Sequence, residues 1–261
     1  MDASIWVAKT GLTAQQKRMT VIANNLANVN TVAFKKDRAV FEDLLYQNVR
    51  QPGASADAQT IAPTGLMIGT GSRIIATEKM HQQGNMISTE NALDVAVLGR
   101  GLFQIQQADG TFAYTRDGSF KLNDQGQLIT ANGQPLVPAI TVPPNTASIT
   151  IGRDGTVDAE LEAGAGKITL GQIQIGRFVN EAGLQPTGKN LYRETTASGP
   201  VEIGVPGLAG FGELAQGSLE ASNVNVVEEM VNMIETQRAY EVNSKAISAA
   251  DGMLRFLNQN L

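Results

Sequence analysis

The sequence predicts an α+β protein: paired N- and C-terminal coiled-coil helices, an inserted all-β domain of antiparallel hairpins, and an irregular region connecting them. Three observations carry this. Near the C-terminus Val226, Met233, Tyr240, Ile247 and Leu254 recur at a strict seven-residue step, with no proline from Asn223 to Leu261. Near the N-terminus Ile5, Ala8, Leu12, Gln15, Met19, Ile22, Leu26 and Val29 alternate three- and four-residue steps, the a/d pattern of a helical seam. Between them, turn pairs such as Asp109-Gly110, Asp117-Gly118 and Asn132-Gly133 punctuate short runs of strand-forming residues, as in meandering hairpins.

The first helix is expected over residues 2–30. Gln15 is the polar member of its seam, and Gly11 weakens a helix interior by up to ~1 kcal/mol relative to alanine. A narrow apolar seam with a polar back makes an isolated helix marginal, so it needs a partner. The C-terminal helix, expected from Val226 to about Asn258, would be roughly 50 Å long at ~1.5 Å per residue. A second row on it, Val242, Ala246, Ala249, Met253 and Leu257, is left for further contacts. Charge favours the pairing weakly. Lys9, Lys17 and Arg18 against Asp2 leave residues 1–30 at +2, whereas Arg238, Lys245 and Arg255 against five carboxylates leave residues 222–261 at −2. Exposed ion pairs contribute only ~0–1 kcal/mol each, so the seams decide. Asn225 with Glu228 three residues on fits a capping box, and the adjacent carboxylates Glu228 and Glu229 read as solvated groups complementing the helix dipole.

In the middle, Thr31–Arg50 mixes an extended piece with a helical turn around Phe41–Tyr46, and Gln51–Gly65 reads as a loop rich in Pro, Gly, Ala and Ser. Met67–Met80 alternates as a strand, and Ala92–Leu98 reads as a buried one. Phe112–Thr115, Gln127–Thr130 and Lys167–Val179 continue the strands, and residues 180–217 look Gly-rich and irregular. Hence the expected parts are residues 1–30 with 223–261, residues 31–91 with 186–222, and an inserted β domain over 92–185.

Composition removes several function classes. A net charge of −5 offers no basic stripe for phosphates, which argues against nucleic acid as a partner. There is no cysteine and one histidine, His81, read as a surface residue; neither a thiolate site nor a zinc set is implied, and no cofactor is expected. Ile68–Ser72 and Gly99-Arg100-Gly101 read as turns, since neither is followed by the Gly-Lys-Ser/Thr of a phosphate loop. No Gly-x-Ser-x-Gly elbow appears, so no catalytic residues are assigned. The N-terminus lacks the apolar core of a cleaved secretory signal.

The stretch Ala23–Thr31 (ANNLANVNT), followed by Ala33-Phe34-Lys35, resembles the N-terminal signature of bacterial flagellar rod and hook axial proteins. Ser218–Ile247, with Arg238, Tyr240 and Asn243, resembles their C-terminal signature. FEDLLYQNVRQPGA, PTGLMIGTGSR and QIQIGRFVNEAGLQPTGKNLYRET are similar to distal-rod members, so the likeness spans essentially the whole chain. Ala33 stands where glycine is common, which puts a left-handed turn there in doubt.

The resemblance implies a structural subunit that passes through the flagellar type III export apparatus without a cleaved signal and polymerises into a helical tube across the periplasm. Its partners would be further copies of itself, proximal rod proteins, hook protein and the P- and L-ring proteins. The terminal helices would line the inner wall, with Ile5, Leu12, Met19, Ile22, Leu26, Val29, Val226, Met233, Tyr240, Ile247 and Leu254 at helix contacts. Asn24, Asn25, Asn28 and Asn30 lie off the seam and are expected to bond between subunits or to face the channel. Gln51–Gly65 is expected to order on assembly and stiffen the tube. Within the family the alternatives are a proximal rod or hook-type subunit; outside it, a cell-wall enzyme or glycan-binding protein fits less well.

Overall fold

Ile5 to Asn25 and Val226 to Leu254 repeat on helical periods, and the computed structural model has helices there: α1 over Ala3–Ala27 and α2 over Val226–Gln259. It describes residues 3–52, 55–57, 60–61, 64–161 and 166–259. The chain forms two compact units. One comprises residues 1–27, 37–79 and 225–261, and the other residues 28–36 and 80–224. Residues 37–79 thus group with the terminal helices. No helix among the described residues is long and apolar enough to cross a membrane.

In the helical unit, α2 starts at a built cap: Asn225 Oδ1 accepts the Val227 N–H at 3.0 Å and the Glu228 N–H at 3.4 Å. The first helix stops three residues short of expectation. Thr31 donates its N–H to Asn28 O at 3.2 Å and its hydroxyl to Asn28 Oδ1 at 3.1 Å, closing a turn that competes with further helix. Val29, expected on the seam, therefore lies beyond α1. Residues 37–79 make an antiparallel ribbon in which Asp37–Asp43 pairs with Ser72–Lys79 and Tyr46–Arg50 with Leu66–Gly69. No helical turn forms around Phe41–Tyr46: Asp37–Asp43 is strand, each of its residues with a partner across the ribbon, and Leu44-Leu45 links it to the strand that starts at Tyr46. Ser55–Asp57 pairs with Thr60–Ile61, so this part of the expected loop is strand, whereas Gln51, Pro52, Thr64 and Gly65 lie in no strand. The rest of that loop reading, at Gly53, Ala54, Ala58, Gln59, Ala62 and Pro63, lies outside the described residues.

The β unit is built on an antiparallel sheet in the order Gln185–Gly188, Leu191–Arg193, Phe112–Thr115, Leu102–Gln106, Ile175–Arg177 and Glu202–Gly204. Leu136–Val137 also pairs with Leu102–Gln106. A second sheet joins Thr146–Ile151, Thr156–Leu161 and Lys167–Gln172. Residues 180–217 are thus not irregular: they supply strands at Gln185–Gly188, Leu191–Arg193, Glu202–Gly204 and Glu213–Gln216. Those strands are three or four residues of mixed polarity, too short to show a period. Phe103, Ile105, Phe120, Leu128, Val157 and Ile175 are at most 2% exposed and fill the core. His81 is half-buried rather than superficial, its ring edge-on to Tyr192 at 5.4 Å between centroids.

One buried carboxylate stands out. Glu220 accepts from Lys35 Nζ at 2.6 Å, Arg116 Nε at 2.8 Å and the Gly84 N–H at 2.7 Å. Burial alone pushes Glu220 up, but the Arg116 and Lys35 charges together with the hydrogen bonds outweigh it and hold its carboxyl below the usual range. For Lys35 burial is the larger influence and lowers it. Ala33, 1% exposed, holds φ +57°, so the left-handed turn is present without glycine.

Candidate assembly interface

The two helices run antiparallel, the end of α1 against the start of α2, and one hydrogen bond and one close approach mark the pairing. Asn25, 1% exposed, donates from Nδ2 to Glu229 Oε2 at 3.2 Å and to Asp37 O at 2.9 Å. Its Oδ1 accepts the Asp37 N–H at 2.8 Å. One side chain thus ties α1 to α2 and to the first strand of the ribbon. Further along, a Cβ on Gly11 would sit 3.2 Å from Asn243 Nδ2, so the glycine that weakens α1 also lets α2 approach closely. Asn25 and Gly11 are fourteen residues apart, as are Glu229 and Asn243. Two heptads on one helix therefore face two on the other. At Gly71, φ +117° and a would-be Cβ 2.0 Å from Thr10 Oγ1 leave room only for glycine, which sets the ribbon tightly on α1.

The expected seam residues divide. Ile22 is 4% exposed; Ile5, Leu12, Met19, Leu26, Met233, Ile247 and Leu254 are half-buried. Val226 and Tyr240 are exposed, Tyr240 at 41%. The other row that α2 turns inward is Glu229, Thr236, Asn243 and Ala250, with Glu229 and Thr236 buried. A search for apolar periodicity passes over this row, since only its seven-residue spacing signals it. Glu229, read as solvated, is instead buried because Asn25 supplies it with an amide donor. Of the motif amides, Asn25 is inside and bonds within its own chain. Asn24 and Asn30 are exposed, and Asn28 is half-buried in the turn after α1. Phe34 and Asn243 are half-buried, whereas Arg238 is exposed.

Away from the seam, α2 leaves large apolar side chains in solvent: Val227 at 71%, with Met230, Val231, Ile234, Val242, Met253 and Phe256. The ribbon does the same at Leu45, 89% exposed, and at Tyr46, Val49, Leu66 and Met67. The part of the ribbon where Tyr46–Arg50 pairs with Leu66–Gly69 is exposed throughout; a two-stranded piece of this kind is marginal alone, and rows of exposed apolar groups of this extent mark interaction surfaces.

Three family descriptions match successive parts of the chain: flagella basal body rod protein over residues 5–35, flagellar hook protein FlgE/F/G D1 domain over 96–159, and flagellar basal body rod FlgEFG protein C-terminal over 215–260. The chain is 53% identical to the flagellar basal-body rod protein FlgG of Buchnera aphidicola subsp. Schizaphis graminum, covering 99% of this chain and 100% of that one. The chain belongs to the FlgG family of flagellar basal-body rod proteins. FlgG of Borreliella burgdorferi is 48% identical over 99% of this chain and 98% of its own. The rod protein FlgF of Caulobacter vibrioides is more distant, 33% identical over 92% and 90%. The two end matches cover nearly all of α1 with its following turn and the whole of α2, the elements that carry the helix pair.

Proposed function

We propose that the chain is a structural subunit of the flagellar distal rod that polymerises with copies of itself into a hollow helical shaft. The exposed apolar row of α2 carries this reading. A helix held on one face by α1 and left apolar on another has surface to give to neighbouring subunits, and heterologous contacts of this kind generate helical polymers. The paired heptads make α1 and α2 a coiled coil, with Ile5, Leu12, Met19, Ile22, Leu26, Met233, Ile247 and Leu254 packing within it and Val226 and Tyr240 at its rim. These helices line the inner wall of the shaft. The shaft transmits torque and conducts exported subunits. It meets proximal rod proteins at one end, hook protein at the other, and the P and L rings around it. The subunit reaches the periplasm through the type III export apparatus. Gln51–Gly65 stiffens the shaft by bridging neighbours.

The test is complementation of a strain lacking this rod subunit with Val231→Asp or Ile234→Asp. The expected result is soluble, folded protein, basal bodies lacking the subunit in cryo-electron micrographs, and no motility. Full-length rods built from both variants would refute the reading.

A further inference from the structure

Residues Val32–Lys36 have no regular secondary structure, yet they are bonded at nearly every position to residues far along the chain. The Ala33 N–H donates to Glu220 O at 2.8 Å and the Lys36 N–H to Asn223 Oδ1 at 2.7 Å. In return Asn190 Nδ2 donates to Val32 O at 2.9 Å, and the Asn223 and Met80 N–H groups donate to Phe34 O at 3.3 Å and Lys36 O at 2.9 Å. In the middle, Lys35 is 1% exposed and donates to Glu220 Oε1 at 2.6 Å and to Gln82 O at 2.7 Å.

Glu220 does not depend on Lys35 alone. Glu220 has a second cation, Arg116, and a backbone donor, the Gly84 N–H. Arg116 is anchored in turn by Gly99 O at 2.6 Å and by Gly101 O. The strand that carries Glu220, Ser218–Glu220, is paired to Met86–Ser88. With the segment removed, the carboxylate would keep a charge partner and its strand would keep its ladder. The segment, in contrast, has no ladder of its own, and Lys35 reaches a carboxylate only by being seated. A buried charge that remains paired is tolerable, whereas one stripped of its partner is not.

We propose that Val32–Lys36 is a detachable latch, which docks through Lys35 into a socket that the rest of the β unit forms without it. Docking and release are local, governed by an equilibrium separate from the folding of the rest of the β unit. This inference stands apart from the rod reading, since it concerns the single chain.

Residue-resolved native-state amide exchange on the full chain tests it. In the wild type, the Ala33 and Lys36 amides should exchange at least about tenfold faster than the sheet amide of Tyr114, as a locally opening segment does. Lys35→Met should speed Ala33 and Lys36 by a further factor of about ten while leaving Tyr114 within about twofold. Asn223→Ala, which deletes the acceptor of the Lys36 N–H, should do the same and covers the case in which Lys35→Met fails to fold. Equal protection of Ala33, Lys36 and Tyr114 in the wild type would overturn the latch. So would variants in which the three amides accelerate together, or in which neither Ala33 nor Lys36 accelerates.

Discussion

Replacing Asn25 by alanine would strip three groups at once: the Asp37 N–H, the Asp37 carbonyl and the Glu229 carboxylate. Asn25 is 1% exposed and Glu229 4%, so solvent reaches the vacated partners poorly. Two neutral hydrogen bonds at about 1 kcal/mol each and one to a charged group at about 2, discounted because a water would enter the space, give a loss near 3 kcal/mol. That corresponds to roughly 150-fold faster exchange of amides in α1 and at Asp37. Asn25→Asp should cost at least as much, since it deletes both donors and sets a second carboxylate beside Glu229. Adding Glu229→Gln to Asn25→Asp should recover part of the loss by restoring an amide–carboxylate pair with the roles exchanged. Asn24→Ala, on the exposed side, should stay within about 0.5 kcal/mol. Amide exchange suits this protein better than bulk denaturation, because two compact units need not unfold in one step. An Asn25→Ala effect below about 0.5 kcal/mol, or no recovery in the double variant, would refute the assignment.

Acid should loosen the β unit through Glu220. Its folded carboxyl lies below the ordinary 4.5, so its contribution is complete above that pH and is lost as pH falls through the folded value; Glu220→Gln should remove that acid-side dependence in thermal melts followed at the β unit. Gln15 sits half-buried on the seam with Oε1 buried and without a hydrogen-bond partner among the described residues, so Gln15→Met should strengthen α1 by about 1 kcal/mol, read as slower exchange along the helix. Ala33→Val should destabilise by about 2 kcal/mol in thermal unfolding, because a β-branched residue at φ +57° in a buried site is strained by both backbone and space.

What could be read from the sequence follows the strength of each local signal. Val226 to Leu254 at seven-residue steps located α2 almost to the residue and Ile5 to Leu26 at three and four located α1 to within three residues of its end, because amphipathic helices announce themselves over many turns. Phe112–Thr115 was legible because Asp109-Gly110 and Asp117-Gly118 bracket it. The ribbon was harder to see: Asp37–Asp43 becomes a strand by pairing with Ser72–Lys79, some thirty to forty residues away, and nothing local demands it. The polar contents of the helix contact were least legible. Asn25 and Glu229 look like surface residues until the fold brings them together, and a buried amide is defined by its partners rather than by its type. The Lys35, Arg116 and Glu220 cluster joins positions up to 185 apart and leaves no spacing to read.

Apolar heptads have a weakness that the Glu229, Thr236, Asn243 and Ala250 row removes. Met233, Ile247 and Leu254 offer α1 much the same greasy surface at each repeat, so a slip by one heptad would forfeit little packing. The same slip would carry Asn25 from Glu229 to Thr236 and leave a carboxylate buried without its amide. It would also move Gly11 away from Asn243 and lose the close approach that the glycine allows there. The polar row thus acts as a ruler, with one alignment satisfying every mark on it. For a subunit that must present the same exposed face of α2 in every copy, that single alignment sets the pitch at which identical faces repeat.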